Sequence, residues 1–384
     1  MSIMMKATRL LLTLALLHGG VPAVQAQKPS LEIALTLDVP VNGVSTTPSG
    51  RIFLLYARVD GSQGPQVVEY NATSNITTPI PSAEWNSFNA SSPSSSSDPA
   101  THLIRTNSQR IGPDGALWLV DVGSPSFGAP VIFPDGPKLV QFNLTTNQVQ
   151  RTYFLGNVTR VNSLLDDVRF NPLTGVAYLT DAGSPGLIVL DLKSGFAVRV
   201  LDDHPSTRRG DFPVSGEGTL MHGPDGAYLY VYADHHELSP SGQYYYFQPA
   251  NGGLSRIESR WLDAALYNSS LNSNAVLGAY VEPFALTPST GGTAIDADGN
   301  IYCSDTDRLA VEKIAPNGTR ETLVQDDRLL WVDAMWIDAE GKLWMPAAQL
   351  NRGIPFNNGT NRVVKPLHVF TLDIGVGPSP IDHA

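Results

Sequence analysis

Six glycines in short turns recur along the 384-residue chain, and the residues eight positions before them are Asn42, Asn107, Asp167, Gly218, Gly291 and Asp333. Glu217 stands next to the fourth. If each of these positions begins an inner strand of a ring, four or five oxygen-bearing side chains converge at one mouth. Such a ring can bind a hard cation such as Ca²⁺ through carboxylate and amide oxygens. It can equally hold a polar substrate and move a proton. Asp and Asn at strand starts also bond nearby backbone N–H groups and shape turns, so each is weighed against that simpler role.

Two further positions carry imidazoles. His222 lies in the strand leading to the fourth turn, where it faces the channel or sits as a satisfied core histidine. His235 and His236 follow the apolar run Leu229–Tyr232. Neighbours on a strand face opposite ways, so at most one points inward. Asp333, Asp167, Glu217 and His222 are therefore the candidates for acting on a substrate, and Asn42, Asn107, His235 and Trp336 for holding it. No His-x-Glu-x-x-His, nucleophile elbow, phosphate loop or dinucleotide fingerprint is present. No cofactor is expected; the alternative is Ca²⁺ or Zn²⁺.

The elements that must position these residues are hairpins. The turn glycines Gly50, Gly115, Gly175, Gly226, Gly299 and Gly341 are spaced by 65, 60, 51, 73 and 42 residues. Each closes a turn such as Pro-Asp-Gly between two short apolar runs, the pattern of a β-hairpin. Three residues on stand Phe53, Trp118, Tyr178, Tyr302 and Trp344, whereas in the fourth copy Tyr228 follows its glycine by two. One hairpin per roughly 40–70 residues indicates a propeller, here an all-β, six-bladed one. Asp121-Val-Gly-Ser-Pro returns as Asp181-Ala-Gly-Ser-Pro, a second sign of repetition. The strand-like runs Leu31–Leu37 and His368–Ile374 are the natural pair to close the ring and remove its open edge. Short helical turns are expected only near Arg260–Tyr267 or Asn274–Tyr280. Most of the hairpin aromatics, Trp118, Tyr178, Trp331, Trp336 and Trp344, are expected between blades. Any at the mouth would suit a flat organic ligand.

Lys6 and Arg9 before Leu10–Leu17, with Val24-Gln25-Ala26 after, read as a signal peptide over residues 1–26, leaving 27–384 for the propeller. Residues 86–99 form a serine-rich, low-complexity insert that reads as a mobile loop. Eight sequons, at Asn71, Asn75, Asn89, Asn143, Asn157, Asn268, Asn317 and Asn358, agree with secretion and a glycosylated surface. The single cysteine, Cys303, forms no intrachain disulfide and reads as a small buried hydrophobe. Net charge is −11 with no basic cluster, which argues against nucleic acid. The N-terminal stretch is too short and wrongly flanked for a membrane span, and no other approaches the roughly 18 apolar residues one needs. The partner expected is a small molecule, and the chain is expected to be a monomer.

The run Asp166-Asp-Val-Arg-Phe-Asn-Pro-Leu-Thr-Gly-Val-Ala-Tyr-Leu-Thr-Asp-Ala-Gly-Ser-Pro-Gly-Leu-Ile-Val-Leu-Asp191, followed by Arg199-Val-Leu, resembles the major royal jelly/yellow family. The likeness extends over roughly Asn107–Gln349. It implies a secreted six-bladed propeller, with activities ranging from pigment-precursor conversion to non-catalytic binding of small molecules. The paired cysteines of insect members are missing, which points to a distant, fungal branch. Asp333-Ala-Met-Trp-Ile-Asp-Ala-Glu-Gly-Lys-Leu-Trp344 is also similar to the regucalcin-like gluconolactonases. That similarity implies a metal-binding, acid/base role for Asp333 and a ligand position at Asp167, with Glu217 as a third ligand. The first-blade glutamate of those enzymes is replaced by Asn42. In overall character the chain further resembles the fungal hetero-Diels–Alderases of tropolone–sesquiterpenoid biosynthesis. Those enzymes are implied to hold a tropolone quinone methide against a humulene-type alkene, chemistry that needs positioning, desolvation and a well-placed acid.

Overall fold

The computed structural model describes residues 30–91, 98–208 and 212–383. The expected signal peptide and residues 92–97 of the serine-rich insert lie outside them. Six four-stranded antiparallel sheets follow one another around a ring, so the fold is a six-bladed β-propeller. Their innermost strands are Val41–Thr46, Thr106–Ile111, Leu165–Asn171, Ala233–Leu238, Thr293–Ile295 and Trp336–Ile337. The last blade takes its outer strand from the N-terminus, Glu32–Leu37 pairing antiparallel with Leu367–Asp373. Blade six meets blade one through the parallel bridge Gly43–Ala334. Ring closure thus leaves the first and last strands paired.

Blade four begins later than the sequence suggests. Its inner strand is Ala233–Leu238, and the following turn is Pro240-Ser241-Gly242. Tyr245 stands three residues past that glycine and Asp234 eight before it, so Gly242 obeys the pattern that Gly226 breaks. The Gly226 turn belongs to an excursion between blades three and four, which also contains the two-stranded Ser215–Gly216/Thr219–Leu220 pair. That excursion packs Val214 and Met221 onto Trp331 and Ala348.

The recurrent aromatics have a shared reason in half the blades. The turn aspartates Asp114, Asp296 and Asp338 accept backbone N–H groups of their own turns. Each also accepts a ring donor from the second strand: Trp118 at 3.0 Å, Tyr302 at 2.9 Å and Trp344 at 2.7 Å. The Asp-x-Gly-Ser-Pro repeat has a similar logic. Asp121 accepts the N–H groups of Ile104, Arg105 and Gly123, and Asp181 those of Leu164, Gly183 and Ser184. In blades two and three a carboxylate at the end of the second strand therefore fixes the loop entering the inner strand.

Four inner strands carry a register shift near their starts, at Val41/Gly43, Thr106/Ser108, Leu165/Val168 and Ala233/His236. A bulge adds one residue, so positions three apart, rather than two, share a face across it. Three past Asn107, Asp166 and Asp234 come Arg110, Arg169 and Glu237, all buried. Arg169 donates to both oxygens of Glu237 at 2.9 and 2.8 Å and also pairs with Asp167. The C-terminal tail completes this layer. It crosses the turns of blades six and five, with Gly377 O accepting Ala297 N–H. Asp382 then pairs with Arg110, and the His383 ring stacks on Trp336 at 3.7 Å. The tail closes the propeller axis from the turn side. Replacing Asp382 by Asn strips a buried guanidinium of its partner. It should cost about 3–5 kcal/mol in chemical denaturation, with part regained in Arg110→Met/Asp382→Asn. An Asp382→Asn variant as stable as the parent would remove the tail from the account of stability.

Candidate functional site

At the opposite end of the axis the inner-strand starts open into a cavity of about 1020 Å³. Its floor includes Asn42, Asn107, Asp166, Asp234, Gly291 and Asp333. The corrected fourth position thus brings Asp234 into the ring. The fifth is glycine for a steric reason: a Cβ on Gly291 would stand 2.5 Å from Val332 O and 2.9 Å from Trp331 Nε1. Blade six therefore lies hard against blade five, and Asp234 and Asp333 flank the gap.

Both carboxyls are shifted far upward. Burial raises Asp234 well above the usual carboxylate range. Burial raises Asp333 likewise, and the negative charge of Asp234 adds to it. Asp333 Oδ2 accepts Trp331 Nε1–H at 3.0 Å and Oδ1 accepts Ala334 N–H at 2.9 Å, which only partly offsets the penalty. His235, next in sequence, is held down to about 4 by burial, against the opposing hydrogen bond to Thr290 O. It is neutral at neutral pH and donates through Nε2 to Thr290 O at 2.7 Å. Asn42 Nδ2 reaches Asn107 O at 3.4 Å, whereas its buried Oδ1 has no partner. Asn107 donates to Asp166. Part of the wall is apolar: Phe127 and Phe356 meet edge-on at 4.7 Å, with Met221, Val231, Leu350 and Trp331 also lining the cavity, while Arg58, Gln66, Asn86 and Arg105 make the rest polar.

Several of the residues expected at the site lie elsewhere. Asp167 turns away from the cavity into the axis, where it accepts from Ser108 and Arg169. Burial opposes its ionisation, but Arg169 outweighs this and holds the carboxyl far below the usual range. The bulge gives its expected place to Asp166. Glu217 is on the surface of the excursion, bound bidentately by Arg352 at 2.8 and 2.6 Å. His222 is in the same excursion, bonded to Leu220 O and tilted against the Tyr228 ring at 4.4 Å. Both residues line a smaller cavity of about 230 Å³ and tie the excursion to residues 351–362. Trp336 is sealed between blades, donating to Thr46 Oγ1 at 3.1 Å; Trp331 takes the cavity position instead. Cys303 is buried, and burial pushes its thiol up to about 12, unsuited to nucleophilic work.

The sequence profile of the major royal jelly protein family matches residues 110–366. The chain belongs to that family. No protein of curated function matches it in sequence. Solved structures of the same fold include a luciferin-regenerating enzyme, 12% identical with TM-score 0.53, covering 91% of this chain and 97% of that one. A gluconolactonase from Xanthomonas campestris is 13% identical with TM-score 0.52, covering 90% and 89%. A putative gluconolactonase is 11% identical with TM-score 0.53, covering 91% and 93%. At these identities they speak to the fold alone. No helix among the described residues is long and apolar enough to cross a membrane.

The raised carboxyls make a stability prediction. A carboxyl whose folded pKa lies above its unfolded value leaves the fold unpenalised below the unfolded value, about 4, and costs stability as pH rises through the folded one. Asp234→Asn should therefore melt higher than the parent at neutral and alkaline pH, with the gain vanishing as pH falls towards about 4. A gain independent of pH would mean that the parent carboxyl carries no ionisation penalty.

Proposed function

We propose that this royal-jelly-family propeller is a secreted enzyme of fungal secondary metabolism that holds a flat, largely apolar substrate in the mouth cavity and catalyses a hetero-Diels–Alder reaction without a cofactor. The observation that carries the reading is the Asp234/Asp333 pair. Two desolvated carboxyls share one mouth, burial favouring the protonated form of each, opposite an aromatic wall. The pair can give a proton to the hydroxyl leaving a hydroxymethyl tropolone while the other carboxylate takes the enolic proton. Water departs and an oxygen-bearing quinone methide forms, with no net change in protons on the protein. Cycloaddition to a humulene-type alkene then converts two π bonds into two σ bonds and needs only apposition in a dry cavity. General acid assistance of this kind is typically worth about 10²–10⁴-fold. Purified protein should accelerate adduct formation and fix its stereochemistry. Asp333→Asn and Asp234→Asn should each slow the dehydration by at least about 100-fold yet still turn over quinone methide generated chemically. Unchanged rate and product ratio with the parent protein would falsify the proposal.

A metal-dependent lactonase is the second reading, favoured by the orphaned, buried Oδ1 of Asn42. The oxygens able to hold Ca²⁺ here belong to Asn42, Asp234 and Asp333, rather than to Asp333, Asp167 and Glu217. A bound divalent ion would polarise a lactone carbonyl. Among the described residues, however, no three His, Cys, Asp or Glu side chains cluster as a metal site. Calcium should then raise the melting temperature of the parent and not of Asp333→Asn; indifference of both proteins to calcium, zinc and chelator removes this alternative.

A further inference from the structure

We infer that Arg105 is a binding residue for a planar oxyanion on the substrate, a carboxylate or a vicinal oxo-enolate, gripped across the mouth from the acid pair. This rests on the reading of the cavity as the substrate site, and not on which bonds are made there.

Arg105 lies in the loop entering the inner strand of blade two and lines the cavity. In a six-membered ring blade two is diametrically opposite blade five, the blade whose glycine separates Asp234 from Asp333. The backbone of Arg105 is pinned, its N–H donating to Asp121 at 3.0 Å. Its guanidinium spends one donor, Nε, on Ser124 O at 3.2 Å and rests 5.9 Å from the Phe127 ring. Among the described residues neither Nη bonds to protein, and no carboxylate stands within ion-pair distance of Arg105. The nearest acid is already engaged: Asp121 holds the fully buried Lys138 at 2.7 Å together with three backbone N–H groups. Burial pushes the guanidinium down to about 10, so it remains a cation at neutral pH.

The other cavity arginine shows what a structural role looks like. Arg58 donates to Pro65 O at 2.6 and 3.1 Å and to Gln63 O at 2.6 Å, and so staples its own loop. Arg105 staples nothing with its fork. A half-buried cation with no ion-pair partner carries a desolvation cost, and its free edge presents two parallel N–H donors matched to a pair of coplanar oxygens. An aromatic anion with its oxygens on this fork would lay its ring against Phe127 and Phe356 and extend its far end towards Asp234 and Asp333.

The test is binding by calorimetry at mildly alkaline pH of two anions and their neutral counterparts, benzoate against benzamide and tropolonate against tropolone methyl ether. The parent should favour at least one anion over its neutral partner by about tenfold or more. In Arg105→Gln that ratio should fall to near one, and Arg105→Lys, which keeps the charge without the fork, should restore part of it. The better anion tells a carboxylate from an oxo-enolate. Arg105→Gln should melt no lower than the parent, since it removes an unpaired charge. A parent ratio near one, or a ratio that survives in Arg105→Gln, overturns the inference. So does a large drop in melting temperature in both variants with equal loss of anion and neutral binding, which would assign Arg105 to the fold. If the ratios hold but no cycloaddition occurs, the proposed reaction fails and this inference stands; if cycloaddition proceeds with unchanged KM in Arg105→Gln, the reverse is true.

Discussion

The axis of the propeller must be filled, and it is filled with charge. Arg110 and Arg169 enter from blades two and three, Asp167 and Glu237 face them from blades three and four, and Asp382 arrives on the C-terminal tail. Burial alone would hold Asp382 up, yet Arg110 and Arg169 outweigh it and set the carboxyl below its usual range. Burial likewise works against Arg169, and Asp167 with Glu237 reverses the sign. Each ion is tolerable only because the others are present, which is why removing any one should cost more than the set contributes as a whole. A layer bound this tightly also stops the channel, so that the mouth cavity is blind.

The layer above obeys the opposite rule. Within ion-pair distance Asp234 has only the His235 ring, Nε2 to Oδ2 at 3.4 Å, which burial holds neutral, and burial outweighs the two hydrogen bonds that Asp333 accepts. Three residues of inner strand separate the two regimes. Below, Asp167 is kept ionised; above, Asp333 feels both burial and its neighbour's charge. Pushing like groups apart in this way is how a protein assigns acid and base roles to chemically identical side chains.

The repeat was legible because it is a matter of local turn chemistry. Turn glycines with positive φ, at Gly50, Gly115, Gly175, Gly299 and Gly341, leave a mark that needs no tertiary information, and ring closure by the two terminal strands follows from it. Blade four was misplaced because the excursion carries a Pro-Asp-Gly turn of its own at Gly226, φ +80°. The one-residue offset of Tyr228 was the available clue, and Pro240-Ser241-Gly242 with Tyr245 the better fit. Correcting it exchanges Glu217 for Asp234 and returns His222 to the surface laces. The confusion of Asp167 with Asp166 has a different origin. Alternation is the signal by which a strand's faces are read, and a bulge reverses it without leaving a residue type that announces the reversal. Neither Arg105 nor the tail had any signature, since what distinguishes them is the absence or presence of a partner far along the chain.

The irregularities of the ring are what give the mouth a direction. A propeller with six equivalent inner strands would present the same side chain six times and could not orient a substrate. Here blade five contributes no side chain at the ring, because the close approach of Val332 leaves no room for a Cβ. The carboxyls on either side of that gap therefore form one acidic edge. Blades one and two offer amides, Asn42 and Asn107, and across from the gap the loop of blade two adds a guanidinium. The excursion before blade four supplies the apolar roof through Val214, Met221 and Val231. The cavity thus has two buried carboxyls at one end, a guanidinium at the other and aromatic faces between. In the proposed function these unlike ends would orient a substrate before any bond is made, the form of assistance that a reaction needing little more than placement can use.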